Sequence, residues 1–91
     1  KIVQLQIITS ESEEISRYIM EEISRGVSSY DMVGEYTGTH RKQLAVLCSP
    51  RESILIKRKL AEIDPKAFVS VMQVNTVWGY GKGFTDIEDE K

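Results

Sequence analysis

The chain has 91 residues, 41% hydrophobic and 29% charged, with 12 lysines and arginines against 14 aspartates and glutamates for a net charge of −2. That is room for one small core and excludes a second domain, while the slight negative charge gives no long-range attraction for nucleic acid. The lone cysteine, Cys48, excludes an intramolecular disulfide and fits a reducing compartment, and no apolar run approaches the roughly 18 residues of a membrane span.

Residues 2 to 9, IVQLQIIT, put Val3, Leu5 and Ile7 on one face and Gln4 and Gln6 on the other, the period of a half-buried strand. SESEEISRYIMEEISRG then reads as a helix. Ser10 and Glu13 have capping-box spacing, Ile15, Ile19 and Ile23 make a stripe, and Arg25 followed by Gly26 supplies the stop. From Val27 to Tyr36 the β-branched and aromatic residues favour a strand, with Gly34 at a bend or bulge.

TGTHRK at 37 to 42 reads as a hairpin loop, and QLAVLC at 43 to 48 as a central strand in which Cys48 acts as a small core residue. Ser49, Pro50 and Glu52 open a second helix with N-cap, N1 proline and capping-box glutamate in register. Its inward stripe is Ile56, Leu60 and Ile63, and Asp64-Pro65 ends it because the residue before proline is pushed out of the α region. AFVSVMQV at 67 to 74 is the last strand.

The order β-α-β-β-α-β is the ferredoxin-like plan, an α+β sandwich with a four-stranded antiparallel sheet and both helices on one face. Residues 1–84 form this single domain, and TDIEDEK at 85–91 is an acidic tail expected to fray. An open sheet face on a domain this small favours self-association, since only about 60–65% of its unfolded surface is buried on folding.

VWGYGKGF, residues 77 to 84, suggests a phosphate loop but fails both familiar fingerprints. After Gly79 and Gly81 the third glycine position holds Phe84, and Gly81-Lys82 is followed by Gly83 instead of a hydroxyl residue. It reads as a turn anchored by Trp78 and Phe84, with Lys82 as the one group able to meet an anion. His40 falls among loop residues, and one histidine with one cysteine cannot complete a tetrahedral metal site, so no metal and no cofactor is expected. Lys57, Arg58 and Lys59, with Arg51, form a basic cluster on the second helix that suits solvent, anionic headgroups or an acidic partner patch. Ile54 and Leu55 lie off that helix's core stripe and, with Trp78 and Phe84, are the interface candidates.

RGV at 25 to 27, GEYTG at 34 to 38, LAVLCS at 44 to 49, EIDPKAFVSV at 62 to 71 and GKGF at 81 to 84 occur in an order that resembles the C-terminal domain of YitT-type bacterial membrane proteins. The resemblance spans nearly the whole chain. It implies a ferredoxin-like fold similar to PII-like modules, placed on the cytoplasmic face of the cell membrane after several transmembrane helices. The start at KIVQ, without methionine, agrees with a segment of a longer protein. No catalytic residue comes with the resemblance.

The expected function is a non-enzymatic regulatory or self-association module, a homo-oligomer that contacts the transmembrane portion of its own parent chain and takes a small anionic ligand between subunits. Gly34, Tyr36, Gly38, Arg41 and Lys42 in one glycine-rich turn and Gly81, Lys82 and Gly83 in the other are the candidate ligand residues. Two alternatives stay open. One is a small ferredoxin-like enzyme using Tyr36, His40 or Lys82 for acid–base work; the other is a weak RNA-binding module, disfavoured by the charge and by the lack of an aromatic run on the central strands.

Overall fold

The computed structural model describes residues 1–75. The elements are β1 (Ile2–Ile8), α1 (Ser12–Tyr18) continuing into a π-helical turn (Ile19–Ile23), β2 (Ser28–Val33), β3 (His40–Cys48), α2 (Pro50–Ile63) and β4 (Phe68–Val74). The sheet order is β2-β3-β1-β4 with every neighbouring pair antiparallel. Each β-α-β unit therefore skips one strand: β3 fills the gap between β1 and β2, and β1 fills the gap between β3 and β4. This is the ferredoxin-like sandwich expected from the element order.

Alternation on the strands sorts the sheet into two faces. Val3, Leu5 and Ile7 of β1 and Leu44, Val46 and Cys48 of β3 are buried and meet Ile15 and Ile19 from the first helix and Ile56 and Leu60 from α2 in one core. Tyr18, Ile23, Ile63 and Val69 pack around it. Cys48 is buried in this cluster, where its position at the end of an apolar strand places it.

Four local expectations need correction. The first helix does not use the Ser10–Glu13 capping box. Its N-cap is Glu11, with no side-chain cap bond, because Thr9 accepts from the Glu11 N–H at 3.0 Å and Ser10 turns its N–H toward Asp64 at 3.4 Å. The same helix stops on Ser24, not on Gly26. Ser24 adopts a left-handed conformation (φ 64, ψ 42), its N–H reaches the Ile19 carbonyl across a π turn, and the Arg25 N–H reaches that carbonyl at 3.2 Å.

The second strand ends at Val33, three residues short of the expected Tyr36. The Gly34 N–H donates to the Thr39 carbonyl at 3.0 Å and the Gly38 N–H to the Gly34 carbonyl at 2.6 Å, which closes a turn whose left-handed residue is Gly38 (φ 71). The expected hairpin loop 37–42 is correspondingly shorter, since His40, Arg41 and Lys42 pair with Val33, Met32 and Asp31 as the first residues of β3.

The second helix follows its sequence signals closely. Ser49 Oγ accepts from the Glu52 N–H at 3.2 Å and Glu52 Oε1 accepts from the Ser49 N–H at 2.9 Å, completing the capping box ahead of Pro50. At the other end Asp64 leaves the helix in an extended conformation, as its proline neighbour requires. The Asp64 carboxylate then ties both chain crossings together, accepting from Thr9 Oγ1 at 2.5 Å and from the Lys66 N–H at 3.1 Å. The Thr9 hydroxyl, with help from the backbone N–H groups of Lys66 and Ser10, holds the Asp64 carboxyl below its ordinary pKa.

Candidate groove and open sheet face

The sheet face away from the helices has no covering layer among the described residues. By register and alternation it carries Tyr30 and Met32 from β2, Arg41, Gln43, Ala45 and Leu47 from β3, Gln4, Gln6 and Ile8 from β1, and Phe68, Ser70 and Met72 from β4. Phe68 is 62% exposed, Tyr30 55% and Met72 43%.

One end of this face deepens into a groove of about 470 Å³. β3 runs three residues past the last β2 pairing, Ser28 with Ala45, so no strand lies along its outer edge from Val46 to Cys48 among the described residues. The loop Ser24–Gly26 stands off that edge and forms one wall, Gln4, Ala45 and Leu47 form the floor, and Ser28 and Tyr30 close the far side. Arg25 is fixed in the wall by its Nε, which donates to Glu52 Oε1 at 3.0 Å with both side chains largely buried. Glu52 thus serves the helix cap and the groove wall with one oxygen. At Gly26 an added Cβ would meet nothing within 4 Å, so the wall faces open space at this point.

The candidate ligand residues do not converge as the sequence suggested. Arg41 and Lys42 are neighbours in sequence, but as strand residues they point to opposite faces: Arg41 joins the open face with Tyr30, whereas Lys42 lines a helix-side cleft with Glu13, Arg17 and Glu21. Tyr36 projects fully into solvent from the turn, and Gly34 and Gly38 serve the turn's geometry, Gly34 where an added Cβ would lie 3.0 Å from Thr37 Oγ1 and push that side chain aside. His40 is exposed on the edge of the helix face and makes no side-chain hydrogen bond or ion pair among the described residues. Gly81, Lys82, Gly83, Trp78 and Phe84 lie outside the described residues, as does the acidic tail. Ile54 and Leu55 are exposed, 46% and 38%, as their positions on the helical wheel require.

Tyr30, Gln4 and Ser24 were not singled out by sequence. Arg25 and Gly26 carried a signal as part of RGV, and Ala45, Val46 and Leu47 as part of LAVLCS.

Comparison with known proteins gives the family of the chain. Residues 25–79 match the family described as uncharacterized protein conserved in bacteria, DUF2179. The chain belongs to this family. The first matched residue is Arg25 in the groove wall, so the matched DUF2179 segment opens on the groove and runs through β2, β3, α2 and β4.

Among curated relatives, an uncharacterized protein in the cccA 5′ region of Bacillus sp. strain PS3 is 39% identical over 75 residues, covering 82% of this chain and 50% of that protein. The UPF0750 membrane protein YpjC of Bacillus subtilis is 37% identical over 79 residues, covering 87% of this chain and 27% of its own length. UPF0750 membrane protein YitT is 24% identical over 74 residues, 81% of this chain and 26% of that protein. The chain thus spans half or less of the curated relatives it matches, and the resemblance to YitT-type membrane proteins holds. The crystal structure of a DUF2179 protein from Eubacterium ventriosum superposes with a TM-score of 0.69 at 21% identity, covering 78% of this chain and 97% of that one. Among the described residues of this DUF2179 domain, no helix is long and apolar enough to cross a membrane.

Proposed function

We propose that this DUF2179 domain is a non-enzymatic regulatory and assembly module on the cytoplasmic side of its membrane-protein parent, working by self-association and by binding a small anionic effector between subunits. The observation that carries the reading is the open sheet face. Tyr30 and Leu47 line the groove, Phe68 and Met72 stand on the far strand of the same face, and a second copy laid on that face would remove these groups from water at roughly 25 cal/mol per Å² of apolar area. Arg41 stands on the same face two residues along β3 from Gln43, the cross-strand partner of Tyr30. An aromatic ring and a guanidinium so placed suit a planar anion, the ring stacking and the guanidinium pairing.

The test is sedimentation of the 91-residue chain and of L47E/M72E, together with thermal-shift measurement against nucleotides and phosphorylated metabolites. Association that L47E/M72E weakens, and a ligand-induced shift that Tyr30→Ala and Arg41→Ala both remove, are expected. A strictly monomeric wild-type chain removes the assembly half of the reading. The absence of any ligand shift, or a shift indifferent to both single variants, removes the effector half.

A further inference from the structure

The helix layer on the opposite side of the domain is divided by charge. From Ser12 to Ile23 the first helix and its π turn carry Glu13, Glu14, Glu21 and Glu22 against Arg17 alone, a net of −3. From Pro50 to Ile63, α2 carries Arg51, Lys57, Arg58 and Lys59 against Glu62, a net of +3 once Glu52 is set aside as the partner of Arg25. All of these groups are exposed except Lys59, whose Nζ lies 5.5 Å from the centre of the Tyr18 ring in the cleft between the helices. Ile54 and Leu55 sit exposed amid the bases. Two neighbouring helices of one layer thus present opposite charge, with an aliphatic pair on the basic one.

We infer that this layer is a self-complementary docking surface for a second copy of the chain. A two-fold axis parallel to the helices, lying in the contact plane above the cleft between them, turns one copy over so that each α2 faces the α1 of the other. Such an isologous contact matches each basic helix with an acidic one twice and covers Ile54 and Leu55. The arrangement distinguishes a second copy from an anionic lipid surface. A membrane attracts α2, but it repels the acidic helix beside it, and the layer as a whole sums to zero. Only a partner carrying the same division satisfies both halves.

This contact is separate from the open sheet face and rests on different residues. With both in place, dimers formed through one face join through the other.

Charge exchange between two variants tests it. R51E/R58E makes both helices acidic, and E14K/E21K leaves α2 basic and reverses the acidic helix. Each variant alone sets like against like, while a mixture of the two restores opposite charge at both contacts. Sedimentation of wild type at about 0.01 M and about 1 M salt, where the screening length falls from about 30 Å to about 3 Å, reads the electrostatic share.

We expect wild-type association to weaken at high salt, each variant alone to bind itself at least ~10-fold more weakly at low salt, and the equimolar mixture to recover association. Circular dichroism checks that both variants fold; if either does not, the milder pair R58Q and E21Q replaces them, each weakening association. Association indifferent to salt and to both variants overturns the inference, and so does a mixture that associates no more tightly than either variant alone. Binding of the chain to phosphatidylserine vesicles that E14K/E21K strengthens, without self-association, overturns it in favour of a membrane contact. L47E/M72E leaves every charge of the helix layer in place, so loss of association there and loss on charge reversal report on the two faces separately.

Discussion

Glu52 is the most informative single position in the domain. Its Oε1 accepts from the Ser49 N–H at 2.9 Å, completing the α2 capping box, and from Arg25 Nε at 3.0 Å, holding the Ser24–Gly26 wall against the sheet. Truncation to alanine removes both. The reciprocal half of a capping box is worth about 1 kcal/mol. A hydrogen bond between charged groups contributes about 1.5–3 kcal/mol when buried, and with side chains 11% and 21% exposed this pair falls toward the lower end.

Glu52→Ala is therefore expected to cost about 2–3 kcal/mol, which lowers the melting temperature by about 4–8 °C per kcal/mol in a domain of this size. Glu52→Gln keeps an acceptor for the cap and loses only the charge, so it is expected to cost about 1 kcal/mol. Urea titrations of wild type, both Glu52 variants, Arg25→Met and the double variant R25M/E52Q give the energies and, through the cycle, the coupling between the two side chains. An alanine variant within about 0.5 kcal/mol of wild type, or a glutamine variant as unstable as alanine, refutes the assignment of two roles to one oxygen.

Three further outcomes follow from the same geometry. Ser24 is held left-handed at a cost of about 1–2 kcal/mol, only partly offset by glycine's own entropy, so Ser24→Gly is expected to raise the urea midpoint and Ser24→Val to lower it; equal midpoints contradict the conformation. Ile19, fully buried where α1 passes into the π turn, is expected to lose about 2–5 kcal/mol on replacement by alanine, measured by the same titration, and a loss under about 1 kcal/mol removes it from the core. Asp64 has its folded-state pKa lowered, so its contribution is fully present above the unfolded value of about 3.9 and is lost as pH falls through the lower folded value. The stability difference between wild type and Asp64→Asn is expected to be constant at neutral pH and to shrink in acid below about pH 4; a difference that stays level through acid contradicts the Thr9–Asp64 bond.

Local signals determined the element order because each acts within a few residues. Ser49, Pro50 and Glu52 cap α2 in the folded domain as their spacing requires, Asp64-Pro65 ends it, and the alternation in β1 names the face that is buried. From six elements in that order the sandwich follows, since a β-α-β unit that skips one strand leaves a place for another.

Tertiary structure decided the rest, through contacts that sequence proximity does not encode. Thr9 and Asp64, 55 residues apart, displaced the Ser10 cap, and Arg25 found Glu52 across 27 residues and set the end of the first helix at Ser24. Extending β3 back to His40 parted Arg41 from Lys42, because consecutive strand residues face opposite ways. The groove lies where β3 outruns β2, a property of register between two strands and not of either alone. The division of charge in the helix layer was visible as separate acidic and basic runs in the chain. That they lie side by side on one surface is a consequence of both helices crossing the same face of one sheet.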